Sequence, residues 1–221
     1  MESTKERLSR ERFRDVQELA WRVLVSNDVK SLPIDIKKIC KAEGAVVLPF
    51  SRHKKEISEM VFAEQMENDV GFCIDRLICY SDYIPVEEQR TVLAHELGHL
   101  LMHTNTRSSD NYPTRTPTER AKAEVEARAF ADRILCPTAI LNFLGVNSAE
   151  EIAEICGVDM EMAKRRYVRL CRARRFDKKR RNDNQRGTFL LNGIERLLYE
   201  NMKDFIEANK KPWKKSENEE E

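Results

Sequence analysis

The chain has 221 residues, of which 41% are hydrophobic and 35% charged, and its formal net charge is +1. This length suits one domain with an appendage or two small domains, and the hydrophobic content is sufficient for a real core. No apolar stretch approaches the ~20 residues of a membrane-spanning helix, and the charged start MESTKERLSRERFRD is unlike a secretory signal peptide. We therefore expect a cytoplasmic protein without a membrane partner, whose six cysteines are reduced.

The first 80 residues combine helical and extended patterns. Apolar residues recur at helical spacing in the first segment, and Asp35 and Gly44 occupy cap positions at the two ends of the second. Short apolar runs bounded by turn residues then predict strands. The expected elements are helices at 9–26 and 35–43, followed by strands at 45–50, 57–63 and 70–80.

The rest of the chain is mainly helical in pattern. Pro85 favours the start of a helix that runs to about His103. After a polar loop, a second helix covers roughly residues 119–135 and ends before Pro137. Two short helices around Gly157 come next, and one amphipathic helix is predicted in LLNGIERLLYENMKDFIEA. The tail after Pro212 is expected to be disordered.

The segment TVLAHELGHLLMH, residues 91–103, contains three of the four histidines of the chain. Residues four apart lie on one face of a helix, so His95 and His99 can direct two imidazoles at one ion. Zinc binds such nitrogens at ~2.0–2.1 Å. Glu96 lies one residue round the helix, where a general base is expected rather than a ligand. This HExxH arrangement predicts a metal-dependent hydrolase.

The third ligand is not expected within this segment. Eight helical residues separate His95 from His103 by about 12 Å, so both cannot bind one ion, and we expect His103 near the carbonyls at the helix end. The longer pattern HExxHxxGxxH also fails, because Met102 and Asn105 stand where its glycine and last histidine would be.

The next predicted helix supplies the candidates for a third ligand. Glu126 lies on the edge of its apolar face, whereas Glu124 points about 160° away from Glu126 and has Arg128 four residues on, as in an exposed ion pair. A carboxylate directed at a core is costly unless it meets a cation, so we assign Glu126 as third ligand and keep Glu124 as the reserve. Gly98 costs its helix about 1 kcal/mol relative to alanine, which predicts that another backbone comes close there.

Two segments together, LAHELGHLLMH and EVEARAFADRILCP, resemble the ImmA/IrrE family of metallopeptidases. The likeness runs from about residue 32 to residue 137. It implies a gluzincin-like zinc peptidase, with manganese as the alternative metal, in which His95, His99 and Glu126 are the metal ligands and Glu96 is the catalytic base. Family members cleave helix-turn-helix repressors at one site, which releases mobile-element or stress-response genes. Because no helix-turn-helix domain is recognisable at the N-terminus, we expect a repressor to be cleaved in trans.

The resemblance implies a fold class, and the change of pattern at Ser148 together with the C-terminal amphipathic stripe gives a domain division. The predicted class is α+β, with a zincin-like metallopeptidase core of a small twisted sheet beside the active-site helices and a helical C-terminal region. The predicted domains are residues 1–146 for the zincin-like domain, 147–186 for a helix-turn-helix-like basic region, and 187–221 for an amphipathic helix with a disordered tail. Tyr80, Tyr83 and His103 are candidates for a donor to the oxyanion of the substrate.

The basic region 164–186 contains twelve Lys and Arg against two acidic residues. The stretch EIAEICGVDMEMAKRRYVRL, residues 151–170, runs into this region and has the look of a helix-turn-helix, in which Arg165, Arg166 and Arg169 could contact phosphates. The alternative function is therefore a DNA-binding transcriptional regulator with an accessory metal site, while docking of a protein substrate or regulator is a further use of the same segment. A third interpretation, a binding protein with a structural metal, is disfavoured because structural zinc usually has four protein ligands, often cysteines.

Overall fold

The computed structural model describes residues 9–60, 70–103, 116–180 and 193–211. The strands are β1 (Val46–Pro49), β2 (Gly71–Ile74) and β3 (Leu77–Tyr80). The helices are α1 (Arg10–Ser26), α2 (Ile36–Ala42), α3 (Phe50–Met60), α4 (Val86–His103), α5 (Pro117–Leu135), α6 (Thr138–Phe143), α7 (Ala149–Cys156), α8 (Met160–Arg180), α9 (Gly193–Asn201) and α10 (Lys203–Asn209).

Several of these helices begin at residues whose side chains satisfy the free backbone donors of the first turn. The hydroxyl of Ser9 accepts from the amide of Arg12, and Asp35 accepts from Lys38, as expected for an N-cap. At α5 the side chains and backbones of Thr116 and Glu119 form a reciprocal capping box. The predicted helices at 9–26, 35–43 and 86–103 are confirmed to within a residue or two, and the one expected at 119–135 starts two residues earlier.

The three described strands form one sheet in the order β1-β3-β2. β1 is parallel to β3, with Val46 opposite Leu77, and β2 is antiparallel to β3, with Gly71 opposite Tyr80. The predicted strand at 70–80 is thus a hairpin of two strands. Its turn is at Asp75, which has a positive φ of 50° that an aspartate tolerates.

Two further predictions are wrong. Residues 57–60, predicted as the start of a strand, lie in α3, because Ile57 packs with Phe50 and Cys79 from one face of a helix; residues 61–63 lie outside the described residues. The predicted single helix near the C-terminus is two helices, α9 and α10, which meet at Met202. The tail after Pro212 and most of the predicted loop before α5 also lie outside the described residues.

One hydrophobic core joins helices from both ends of the described chain. Trp21 in α1, Phe130 in α5, Ile152 in α7 and Leu198 in α9 all belong to the same buried cluster. The core therefore draws on all three predicted domains, whose boundaries stay a prediction. The mostly helical fold with a small mixed sheet confirms the predicted α+β class. None of the described helices combines the length and the apolar character needed to cross a bilayer.

Candidate metal centre

The helix α4 presents both motif histidines on one side. Its apolar residues Leu93, Leu97 and Leu100 are buried in the core and fix the rotation of the helix. His95 and His99 then lie one turn apart, with side chains that are 22% and 2% exposed. The site therefore has a solvent-facing side at His95 and a buried side at His99.

The helix α5 crosses α4 closely at Gly98. A Cβ added to Gly98 would lie 3.2 Å from Ala127 Cα, 3.3 Å from Ala127 O and 3.2 Å from Phe130 Cδ1. These separations leave no ordinary van der Waals space for a side chain, so the predicted close approach of another backbone is confirmed. The contact brings the acidic residues of α5 within reach of the histidines.

Three residues with potential ligand atoms converge between α4 and α5. The Nε2 atom of His95 lies 3.1 Å from Nε2 of His99 and 3.1 Å from a carboxylate oxygen of Glu124, and His99 Nε2 lies 3.2 Å from the other oxygen of Glu124. Tetrahedral donors at ~2.0–2.1 Å from one zinc ion are about 3.3 Å apart, and imidazole and carboxylate are both zinc ligands. Both the donor types and their spacing therefore fit a single ion, and these residues form a possible metal site.

The carboxylate of Glu124 is held in its charged form. Hydrogen bonds from His95 and from His99 shift the pKa of Glu124 far below its ordinary value, although partial burial opposes the shift. Its side chain is still 50% exposed. The Glu124 carboxylate thus lies on one side of the two histidines and leaves them accessible to solvent.

Glu126, the residue assigned as third ligand from the sequence, is not part of this group, and the reserve Glu124 takes that position. The two glutamates lie at opposite edges of the apolar face of α5. The helix is packed against α4 and also against α1. Periodicity identifies the buried face but does not tell which neighbouring helix covers which edge, so the sequence alone does not separate the two glutamates.

Glu126 instead lies in a second polar cluster next to the histidines. It accepts two hydrogen bonds from the guanidinium of Arg12, at 2.8 and 2.6 Å, and its Oε2 lies 3.0 Å from His103 Nε2. Burial would raise the pKa of Glu126, but the hydrogen bonds from Arg12 and His103, together with the charge of Arg12, lower it to about 2. His103, the last residue of α4, is therefore bonded through its side chain to Glu126.

Glu96, the expected general base, is buried in α4. Burial, and then the charge of Glu96, raise the pKa of the Cys79 thiol in β3 to about 12. Of the three residues considered as oxyanion donors, His103 is bonded to Glu126, and Tyr80 is buried with the ammonium of Lys37 over its ring. Tyr83 is exposed.

The sequence matches a peptidase family over the part of the chain that carries this site. Residues 40–167 fit the family model for peptidase family M78, described as the IrrE N-terminal-like domain, and this match covers more than half of the chain. The chain belongs to peptidase family M78. The resemblance to the ImmA/IrrE family is thereby confirmed, and the match supports a metallopeptidase. No curated protein matches the chain.

Three arginines of α8, within and just beyond the M78 match, contact other elements of the protein. Arg165 pairs with Asp132 of α5 at 3.1 Å, and the buried Arg166 donates to the carbonyl of Cys136 at 2.6 and 3.1 Å. The guanidinium of Arg169 lies 3.9 Å from the centre of the Phe13 ring. The three arginines proposed for phosphate contact thus all contact other parts of the protein, and a helix-turn-helix function has no support from their positions.

The turn between α7 and α8 is fixed to the helix that carries the histidines. The guanidinium of Arg90 on α4 donates to the carbonyls of Gly157 at 2.7 Å and Cys156 at 3.0 Å. Thr91 donates from its hydroxyl to Asp159 at 3.2 Å. The helix pair that resembled a DNA-binding motif therefore supports the start of α4.

Proposed function

We propose that this chain is a zinc-dependent endopeptidase that cleaves a helix-turn-helix repressor in trans. The observation that carries the proposal is the convergence of His95, His99 and Glu124 between two helices of an M78 domain. Three ligands, none of them cysteine, leave a coordination position for water, as in catalytic rather than structural zinc sites. Manganese is the alternative ion.

Three residues of the site would bind the ion, and a fourth would transfer the proton. His95, His99 and Glu124 would hold the ion, which when bound acidifies water and polarises a peptide carbonyl. Glu96 accepts the proton of the attacking water and delivers it to the leaving amine. The side chain of Glu96 is buried, which limits the contact of its carboxylate with bulk water. Glu96 is thus the catalytic residue, and the other three are binding residues.

The open side of the site suits an extended peptide. Glu124 is half exposed and His95 is partly exposed, so a chain can reach the group from solvent. Among the described strands, β2 pairs with β3 alone, and an extended segment of a repressor can add to its other edge through backbone hydrogen bonds. The choice of a repressor as substrate rests on the resemblance to the ImmA/IrrE family.

The test combines metal content with cleavage. Zinc per chain is measured for the wild type, His99→Ala, Glu124→Ala and Glu96→Gln, and each protein is incubated with purified candidate repressors. We expect one zinc in the wild type and in Glu96→Gln, a loss of zinc in the two ligand variants, and a single cut by the wild type alone. Glu88→Gln, an exposed change on the same helix, is the matched control and keeps both properties.

Two outcomes would reject parts of the proposal. Full cleavage by a zinc-loaded Glu96→Gln protein would remove Glu96 from the reaction. Undiminished zinc in both His99→Ala and Glu124→Ala would remove the metal site. A zinc-loaded wild type that cuts many unrelated unfolded proteins as fast as any repressor would overturn the substrate while leaving the peptidase.

A further inference from the structure

The ring of His99 has contacts at both of its nitrogen atoms. Its Nε2 faces His95 and Glu124 in the candidate metal centre, and its Nδ1 lies 3.2 Å from Nδ1 of His103, one turn along α4. His103 is buried, and its other nitrogen, Nε2, lies 3.0 Å from Glu126. A continuous series of polar contacts therefore leads from the metal centre to the second polar cluster.

The chemistry of the imidazole ring sets the direction of each hydrogen bond in this series. A neutral imidazole carries one N–H, so when His99 uses Nε2 as a metal ligand its proton is on Nδ1. His103 must then accept at Nδ1 and carry its own proton on Nε2, where Glu126 accepts it. Each donor meets an acceptor, and both tautomers are fixed by the carboxylate at the end.

The carboxylate at the end is itself held by a residue far away in the sequence. Arg12 of α1 makes two hydrogen bonds to Glu126, and its side chain is 38% exposed while that of Glu126 is 4% exposed. Paired hydrogen bonds of this kind fix both the position and the orientation of a carboxylate. Arg12 lies outside residues 40–167, so the series begins beyond the segment that matches the family.

We propose that Arg12, Glu126 and His103 form a positioning relay that orients His99 as a metal ligand and fixes its tautomer. The inference rests on the proposed metal site. The three are positioning residues, since none belongs to the group that holds the ion. Groups that hydrogen-bond a metal-ligating histidine typically change metal affinity by ~10–100-fold when removed, which is the size of effect expected here.

A purely structural role makes a different prediction. If Arg12 and Glu126 only fix α1 to α5, their loss lowers thermal stability and leaves zinc affinity unchanged. The pair Arg165–Asp132 provides the matched control, because Arg165 also joins a neighbouring helix to α5 and is 36% exposed, close to the value for Arg12. Arg165 makes no contact with the three histidines in the hydrogen bonds and ion pairs of the described residues.

The experiment measures the zinc dissociation constant of the full chain by competition with a chelator of known affinity. Arg12→Gln, Glu126→Gln, His103→Leu and the control Arg165→Gln are compared with the wild type, together with the Tm of each metal-free protein. We expect about 10–100-fold weaker zinc binding in Glu126→Gln and His103→Leu, a smaller loss in Arg12→Gln, and none in Arg165→Gln. The double variant Arg12→Gln/His103→Leu should bind zinc no more weakly than His103→Leu, because both changes break one relay.

A second readout follows the protons directly. Nitrogen-15 NMR of the zinc-loaded wild type should show the proton of His99 on Nδ1 and that of His103 on Nε2, and Glu126→Gln should lose the single tautomer of His103. Unchanged zinc affinity in all three relay variants, with only their Tm lowered, would overturn the relay. So would a loss in Glu126→Gln as large as in Glu124→Ala with no change in Arg12→Gln, because Glu126 would then be a ligand. Normal binding by His99→Ala would reject the metal site itself.

Discussion

Replacing Gly98 by alanine tests the contact that brings the two halves of the metal centre together. The added methyl group would meet backbone atoms of Ala127 at 3.2 and 3.3 Å and the ring of Phe130 at 3.2 Å. Overpacking of this kind typically costs ~1–3 kcal/mol. Alanine returns about 1 kcal/mol through its better helix propensity. We expect a net loss of about 1 kcal/mol in the free energy of unfolding, with α4 and α5 moved slightly apart.

The assay is thermal unfolding of the metal-free protein, followed by zinc titration. For a domain of this size the loss corresponds to a Tm about 2–4 °C lower, and Gly98→Val should lower the Tm further. Zinc affinity should also fall, because Glu124 and the histidines lie on the separated helices. Gly193, at the start of α9, has no described atom near its added Cβ and is the control, so Gly193→Ala should leave the Tm equal or higher. A Gly98→Ala protein at least as stable as the wild type would refute the close contact.

Three further predictions concern the metal, the helix α8 and the cysteines. With free zinc at 100 times its dissociation constant, the ion stabilises the fold by about 2.7 kcal/mol, so a chelator should lower the Tm by roughly 5–10 °C; the same chelator shift in Glu124→Ala would contradict the ligand assignment. Arg166→Gln leaves the buried Cys136 carbonyl without its donor, and we expect a loss of ~1–3 kcal/mol in stability with unchanged retention of the full chain on duplex DNA. A normal Tm with weaker retention would instead favour the DNA-binding alternative. Burial is the main cause that raises the pKa of the Cys40 and Cys79 thiols to about 12, so both are protonated at pH 8. Of the six thiols, the partly exposed Cys171 alone should therefore react rapidly with a disulfide reagent. A second rapidly reacting thiol in the folded protein would argue against this packing.

The parts of the site that depend on one helix could be predicted from the sequence. The spacing of His95 and His99 fixes their common face whatever surrounds the helix, and Gly98 in a helix interior indicates a close neighbour. The type and approximate bounds of α4 and α5 follow from the same periodicity. Helical periodicity therefore predicted the shared face of the two histidines, whereas the family and the α+β class came from the resemblance of two segments to known metallopeptidases.

The parts that depend on several helices could not be predicted. Glu124 and Glu126 both lie at an edge of the apolar face of α5, and only the placement of α1 and α4 decides which one meets histidine and which meets arginine. The rule that a carboxylate near a core needs a cation holds for Glu126, but that cation is Arg12 rather than a metal. An arginine on the face of α1 that packs against α5 is the sequence feature that could have indicated this ion pair.

The position of Arg12 limits how far the chain can be truncated from its N-terminus. A fragment starting at residue 40, where the family match begins, would retain both histidines of the site and both glutamates. It would also lose Trp21 and Leu24 from the core and leave Glu126 without its guanidinium. If the proposed relay operates, the smallest segment able to fold and to bind zinc at full affinity is longer than the segment that matches the family, and it includes α1.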